Sequence, residues 1–235
     1  MNETKKKPLK NRRGLLALVI GLVLIAALIL LFLGLRASRW AARGKNLELL
    51  TLVNAEHPAP DDRQQEYELM DEGWMLDVRC AGELQLLLDD CRRAGFSPEI
   101  REALVTRALQ SERFEARRSE LLAEGLSEEA ADAEAAKTVQ RPGYSEHELG
   151  LAVDLIDPAL PDGEQGASAM QAWLAENAWR RGFILRYPEG KREATGADYV
   201  PWHYRYVGQE AAQQIWELGL TLDEYIDLFY PEQTD

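Results

Sequence analysis

The stretch that decides the fold is Arg141-Pro142-Gly143-Tyr144-Ser145-Glu146-His147-Glu148-Leu149-Gly150-Leu151-Ala152-Val153-Asp154-Leu155-Ile156-Asp157. Arg141-Pro142-Gly143 ends the helical region before it. Leu149 to Asp157 is apolar with β-branched content, which predicts a buried strand. Upstream, residues from Thr106 to about Val139 read as helix, broken at Gly125-Leu126-Ser127-Glu128-Glu129, with Ser127 placed to cap the second half. That second half is acidic and Ala-rich, as a solvated helix face is. Further upstream lie a short strand over 97–103, a helix over 81–94 with Leu86, Leu87 and Leu88 on an apolar side, and a Pro- and Asp-punctuated extended wrap over 51–76. Downstream, 167–181 reads as helix, Phe183-Ile184-Leu185 and His203 to Val207 as strands, and 208–218 and 222–229 as closing helices. Helices first, then strands with helices between them, predict an α+β domain.

Charge and hydropathy set the surroundings of that domain. The chain has 235 residues and a net charge of −13. Residues 1–45 hold ten Lys/Arg and one acidic residue, so the remainder carries −22. A body that acidic repels phosphate backbones, which argues against nucleic-acid binding, and it is a poor match for an anionic membrane surface. Residues 14–35 contain no charge over 22 residues, about 33 Å of helix against a bilayer core of about 30 Å. The run is longer than a signal-peptide core and no small-x-small cleavage site follows, so an uncleaved signal anchor is expected. Six Lys/Arg precede it, placing the N-terminus in the cytoplasm and the body outside. The expected organisation is a cytoplasmic basic tail (1–13), a transmembrane anchor (14–35), a stalk (36–50) and one globular domain (51–235). Outside the cytoplasm Cys80 and Cys91 could pair, but on one helix their Cα atoms would lie about 16 Å apart along the axis, so two unpaired thiols are expected.

The sequence has three His. His57 lies in the extended wrap and reads as a solvent-exposed loop residue. His147 precedes Asp154 by seven residues, and His203 follows Trp202 on a separate strand. Two imidazoles and one carboxylate make a three-ligand zinc site whose fourth position stays open, the catalytic pattern. The spacing of His147 and Asp154 is weak alone; the neighbours carry the specificity. No G-x-S-x-G element is present, which excludes a hydrolase triad built on Ser145.

Ser145, His147, Gly150, Ala152 and Asp154 complete the motif S-x-H-x-x-G-x-A-x-D, and Trp202-His203-Tyr204-Arg205-Tyr206-Val207-Gly208 forms a second element. With Tyr187-Pro188-Glu189-Gly190-Lys191 between them, they resemble the zinc D-alanyl-D-alanine carboxypeptidase and dipeptidase family of the VanY type. The resemblance runs from about Leu52 to the C-terminus. It implies a small antiparallel sheet flanked by helices, Zn2+ on His147, Asp154 and His203, and a peptidoglycan stem peptide ending in D-Ala-D-Ala as partner. Ser145 and Trp202 are then candidate substrate contacts, Ser145 equally a turn-stabilising residue and Trp202 chiefly a packing residue.

Two departures accompany the resemblance. The family carries E-x-W-H at the second element, with Glu as general base, where this chain has Val200-Pro201-Trp202-His203. The family also carries a Tyr-Arg pair whose Arg grips the substrate carboxylate, and Leu104-Val105 falls there. Asp198, Glu146 and Glu148 are conceivable substitutes for the base, Asp198 displaced by about 6.5–7 Å at strand rise. Arg101 or Arg107 are conceivable substitutes for the clamp. Two functions follow as expectations: a membrane-anchored zinc D,D-carboxypeptidase, or a pseudoenzyme that keeps zinc and fold and binds stem peptides or a cell-envelope partner.

Overall fold

A computed structural model describes Ile20 and residues 47–61, 65–71 and 73–231. The expected tail, the span over 14–35 (except Ile20) and most of the expected stalk lie outside the described residues. Among the described residues no helix is long and apolar enough to cross a membrane. The elements below belong to the unit Glu48–Asp235.

In chain order the strands are β1 (Tyr67–Leu69), β2 (Met75–Asp77), β3 (Glu99–Glu102), β4 (Ala152–Ile156), β5 (Phe183–Tyr187) and β6 (Val200–Tyr206). The helices are α1 (Val78–Arg93), α2 (Arg107–Ala123), α3 (Glu128–Ala135), α4 (Ala169–Asn177), the single turn α5 (Arg192–Thr195), α6 (Gln209–Leu218) and α7 (Leu222–Phe229). Strands β1 and β2 form a small antiparallel ribbon, and β3-β4-β6-β5 form an antiparallel sheet. The α+β class is therefore observed. The ribbon over 67–77 corrects the expectation of an extended wrap with little regular structure over 51–76: its three-residue strands are too short for alternation to show in sequence.

The register sorts the main sheet into two faces. Ile100 stands opposite Leu155, Val153 opposite Tyr204, and Leu185 opposite Tyr204. Residues directly opposite share a face, and these join Leu84, Leu87 and Leu88 of α1 in the main core. α1 buries Cys80, Ala81, Leu84, Leu87, Leu88 and Cys91, a helical stripe, which moves the apolar side one residue from Leu86, itself exposed. Each fully buried Leu is worth about 1.5–3 kcal/mol. Asp77 caps α1 by accepting from the Arg79 amide. Both cysteines are unpaired, as expected, and both are fully buried.

The opposite face carries Asp154 opposite His203 and, beyond them, Arg205 opposite Ile184. α6 and α7 cover the β5 end of it with a second core containing Ile184, Ile215 and Ile226. α2 and α3 form a helical hairpin packed through Phe114, Leu121, Ala131 and Ala135, with Ser127 capping α3 by accepting from Ala130. This hairpin supplies one wall of the cleft described next.

A candidate metal centre in an open cleft

His147 is delivered by a turn rather than a strand. Residues Glu146–Leu149 form one 3-10 turn that ends at Gly150 with φ +68°. A Cβ at Gly150 would come within 2.8 Å of the Tyr67 ring and 3.2 Å of the Asp77 nitrogen, so both backbone sign and space require glycine. The Val105 amide donates to the His147 carbonyl (3.2 Å) and fixes the turn to the end of β3.

Three donor atoms meet there. His147 Nε2 lies 3.3 Å from Asp154 Oδ1, and His203 Nδ1 lies 2.9 Å from the same oxygen. The three donors fall within 4.8 Å of one another, and all three residues are buried. Ligands about 2.0–2.1 Å from a tetrahedral zinc stand about 3.3 Å apart, so the set fits such an ion. The second nitrogen of each ring is already committed. His147 Nδ1 sits 2.8 Å from the Ala103 carbonyl, which fixes that nitrogen as the donor, and His203 Nε2 sits 3.2 Å from Glu146 Oε2. Outer hydrogen bonds of this kind orient metal-binding imidazoles and set their tautomer. Arg101 Nη2 donates to Asp154 Oδ2 at 3.1 Å, leaving Oδ1 turned to the histidines.

Behind His203 lies a buried charge network. Glu146 accepts from Arg186 Nε (2.8 Å) and Arg205 Nη1 (2.9 Å), both arginines having no exposed side-chain surface. Arg186 also grips Asp223 of α7 through both terminal nitrogens. Burial opposes ionisation of Glu146, but Arg186, Arg205 and His203 overcome it and hold the carboxyl well below its usual range. Burial likewise opposes the Asp154 charge, and hydrogen bonds from His147 and His203 outweigh it. In the metal-free site burial lowers the His203 pKa, while Asp154 and Glu146 raise it further, to about 9.

The centre opens into a cleft of about 620 Å³. Ser145, Tyr187 and Val200 line it beside the metal ligands, and Tyr187 packs 5.3 Å from the His203 ring. Trp202 lies beneath the Arg101 guanidinium at 4.5 Å. The conceivable substitutes for base and clamp are engaged elsewhere. Asp198 is exposed and paired with Arg192; Glu146 is locked between arginines; Glu148 holds the Gly143 amide and Arg107. Arg101 is spent on Asp154 and Asp162, and Arg107 on Glu148 and Asp61. Val105 is 2% exposed. His57, expected in solvent, is half-buried with its ring on Asn54.

Two residues that sequence reasoning passed over do face the cleft, Glu102 and Arg113. Glu102 stands opposite Asp154, which stands opposite His203, so the three form one row across β3, β4 and β6. A register shift between Ile100 and Glu102 makes this possible. On a regular strand Glu102 would share the core side with Ile100; the extra residue, Arg101, turns it to the metal side, as bulges beside functional sites do. Glu102 Oε2 lies 3.8 Å from His147 Nε2, and Oε1 accepts from Arg113 Nη1 at 2.6 Å.

In this α+β domain His147, Asp154 and His203 form a candidate metal centre on one face of the sheet, with an open cleft above it. The chain belongs to the family described as VanY: D-alanyl-D-alanine carboxypeptidase, whose pattern matches residues 73–209. A D-alanyl-D-alanine carboxypeptidase of Enterococcus faecalis is 40% identical over 178 residues, which cover 76% of this chain and 65% of that protein. The chain thus spans just under two thirds of that relative's length. Among solved structures, a variant of the vancomycin resistance D,D-pentapeptidase VanY from a VanB-type cassette in complex with Zn(II) matches at 40% identity and TM-score 0.65, over 76% of this chain and 99% of that one. VanYB in complex with D-alanine-D-alanine matches at 40% identity and TM-score 0.67, over 77% and 98%.

Proposed function

We propose that this protein is a zinc D-alanyl-D-alanine carboxypeptidase acting on peptidoglycan stem peptides, held at the outer face of the cell membrane by residues 14–35. The observation that carries the reading is the convergence of His147 Nε2, Asp154 Oδ1 and His203 Nδ1, with the remaining ring nitrogens committed to Ala103 and Glu146. The relatives named above, one holding Zn(II) and one holding D-alanine-D-alanine, support both ion and substrate class. Bound zinc would polarise the scissile carbonyl and lower the pKa of water to about 7. The protein's own residues hold the three donors rigid, keep Glu146 ionised behind His203, and present an open cleft to an extended peptide. The uncharged run over 14–35, with six Lys/Arg before it, supports a single-pass anchor with the catalytic domain outside.

A second reading is a zinc-binding module without turnover, favoured by Val200 and Val105 at the positions where the family carries its base and its carboxylate clamp. The full chain, solubilised with zinc and given a peptide ending in D-Ala-D-Ala, separates the two. Release of D-Ala that disappears on His203→Ala supports the enzyme; peptide binding without release supports the module.

A further inference from the structure

We propose that Glu102 is the proton-transferring carboxylate of this site, taking over from the strand position held by Val200, and that Arg113 positions it. The inference rests on the carboxypeptidase reading above.

Four observations converge on Glu102. It occupies the same cross-strand row as Asp154 and His203, so its side chain emerges on the metal face of the sheet. The bulge at Arg101 is what places it there, a local departure from regular strand geometry. Its Oε2 reaches within 3.8 Å of His147 Nε2, beside the three close donors and within the cleft. Its other oxygen is anchored by Arg113 from α2, which fixes the carboxylate without burying it; the Glu102 side chain keeps 26% exposure, so water reaches it. The chain's other carboxylates near the ligands lack that freedom: Glu146 is saturated by two arginines and His203, and Asp154 is itself a donor to the centre. Val200 and Glu102 both line the cleft, one on β6 and one on β3, so the carboxylate has moved from one strand to another.

The reaction balances with one water. Glu102 Oε2 takes a proton from the attacking water as its oxygen bonds to the carbonyl carbon of the penultimate D-Ala. The C–N bond then breaks with its electron pair on nitrogen, and Glu102 returns the proton to that nitrogen. D-Ala leaves with a free amine, the shortened peptide keeps a new carboxyl group whose proton, the second from the water, passes to solvent, and Glu102 ends as the carboxylate it began as.

The test is Glu102→Gln in the full-length zinc protein, with three readouts: D-Ala release, zinc affinity by competition with a chromophoric chelator, and peptide affinity. Loss of a proton-transferring group costs about 10²–10⁴-fold in rate. The expected result is a kcat fall in that range, with zinc and peptide affinities changed less than about threefold, and partial recovery when Val200→Glu is added to the Gln variant. Arg113→Met is expected to lower kcat with little change in KM, and Arg113→Lys to restore much of it. Undiminished turnover by Glu102→Gln overturns the proposal and leaves the carboxypeptidase reading standing. A zinc affinity at least tenfold weaker overturns it in favour of Glu102 as a fourth ligand. A wild-type protein that binds zinc and releases no D-Ala overturns both.

Discussion

Glu146 Oε2 accepts from His203 Nε2 at 3.2 Å, while its other oxygen accepts from two fully buried arginines, Arg186 and Arg205. One carboxylate therefore fixes the tautomer of a metal ligand and neutralises the charge behind it. Glu146→Gln keeps the shape and removes the charge. Outer-sphere partners of metal-bound His are worth about 10–100-fold in affinity, and stripping one partner from a buried ion pair costs about 3–5 kcal/mol. The expected outcome is zinc binding weakened at least tenfold together with a folding loss of that order. Chelator competition and denaturant unfolding of the metal-free protein check the two parts separately.

Metal removal is expected to load a proton onto the site. In the metal-free protein Asp154 and Glu146 overcome the effect of burial and raise the His203 pKa to about 9. A group raised above its ordinary 6.5 stabilises the metal-free fold fully below about pH 6.5 and loses that contribution as pH rises through about 9. A divalent cation on Nδ1 replaces the proton, so its affinity rises with pH over the same window. Calorimetric titration of zinc into the metal-free protein at pH 7.5, in buffers of different ionisation enthalpy, is expected to show release of close to one proton per ion. Release of none contradicts the arrangement.

Gly150→Ala tests the turn that delivers His147. The residue has φ +68°, and an added Cβ would meet the Tyr67 ring at 2.8 Å and the Asp77 nitrogen at 3.2 Å. Left-handed backbone at a non-glycine costs about 1–3 kcal/mol, before the crowding is counted. A fall in thermal midpoint of several degrees, with weaker zinc binding because His147 shifts, is the expected pair of effects.

The two motif elements were legible because their chemistry is local: His147 and Asp154 share one turn and strand, and Trp202-His203 marks the partner strand. The α3 cap at Ser127 could be read for the same reason. Glu102 could not. Alternation along 99–102 assigns it to the core side with Ile100, and only the bulge at Arg101 reverses that parity. Arg113 was hidden differently, as one cation among several on a helix whose cleft-facing side depends on how the α2–α3 hairpin packs. The pairing of Glu146 with Arg186 and Arg205 spans 40 and 59 positions in sequence. No local pattern announces it.

Cys80 and Cys91 are expected to resist thiol reagents in the folded protein. Both side chains are buried, and Cys80 Sγ donates to the Asp77 carbonyl at 3.3 Å. Burial pushes both thiols up, Cys91 to about 11, so little thiolate exists at neutral pH. Labelling with an aromatic disulfide is expected to be slow in buffer and to reach two thiols per chain in denaturant. Rapid native labelling of either one would contradict the packing of α1.

Arg101→Met separates the bulge from the charge it carries. Arg101 donates to Asp154 Oδ2, reaches Asp162, and lies over the Trp202 ring at 4.5 Å. Methionine keeps much of the apolar stem and leaves the backbone free to hold the bulge, so Glu102 should stay on the metal face. What is lost is the clamp that leaves Asp154 only one oxygen to offer the centre. A freed carboxylate rotates and competes with itself for the ion, so zinc affinity is expected to fall about 10–100-fold. The Arg101 side chain keeps 29% exposure, so little of the fold depends on its charge, and the thermal midpoint of the metal-free protein should move by only a degree or two. If the midpoint collapses while zinc affinity per folded molecule is unchanged, Arg101 serves the β3–β4 edge and not the metal ligand. If affinity falls with the fold intact, the arginine that makes the bulge also sets the coordination mode of Asp154.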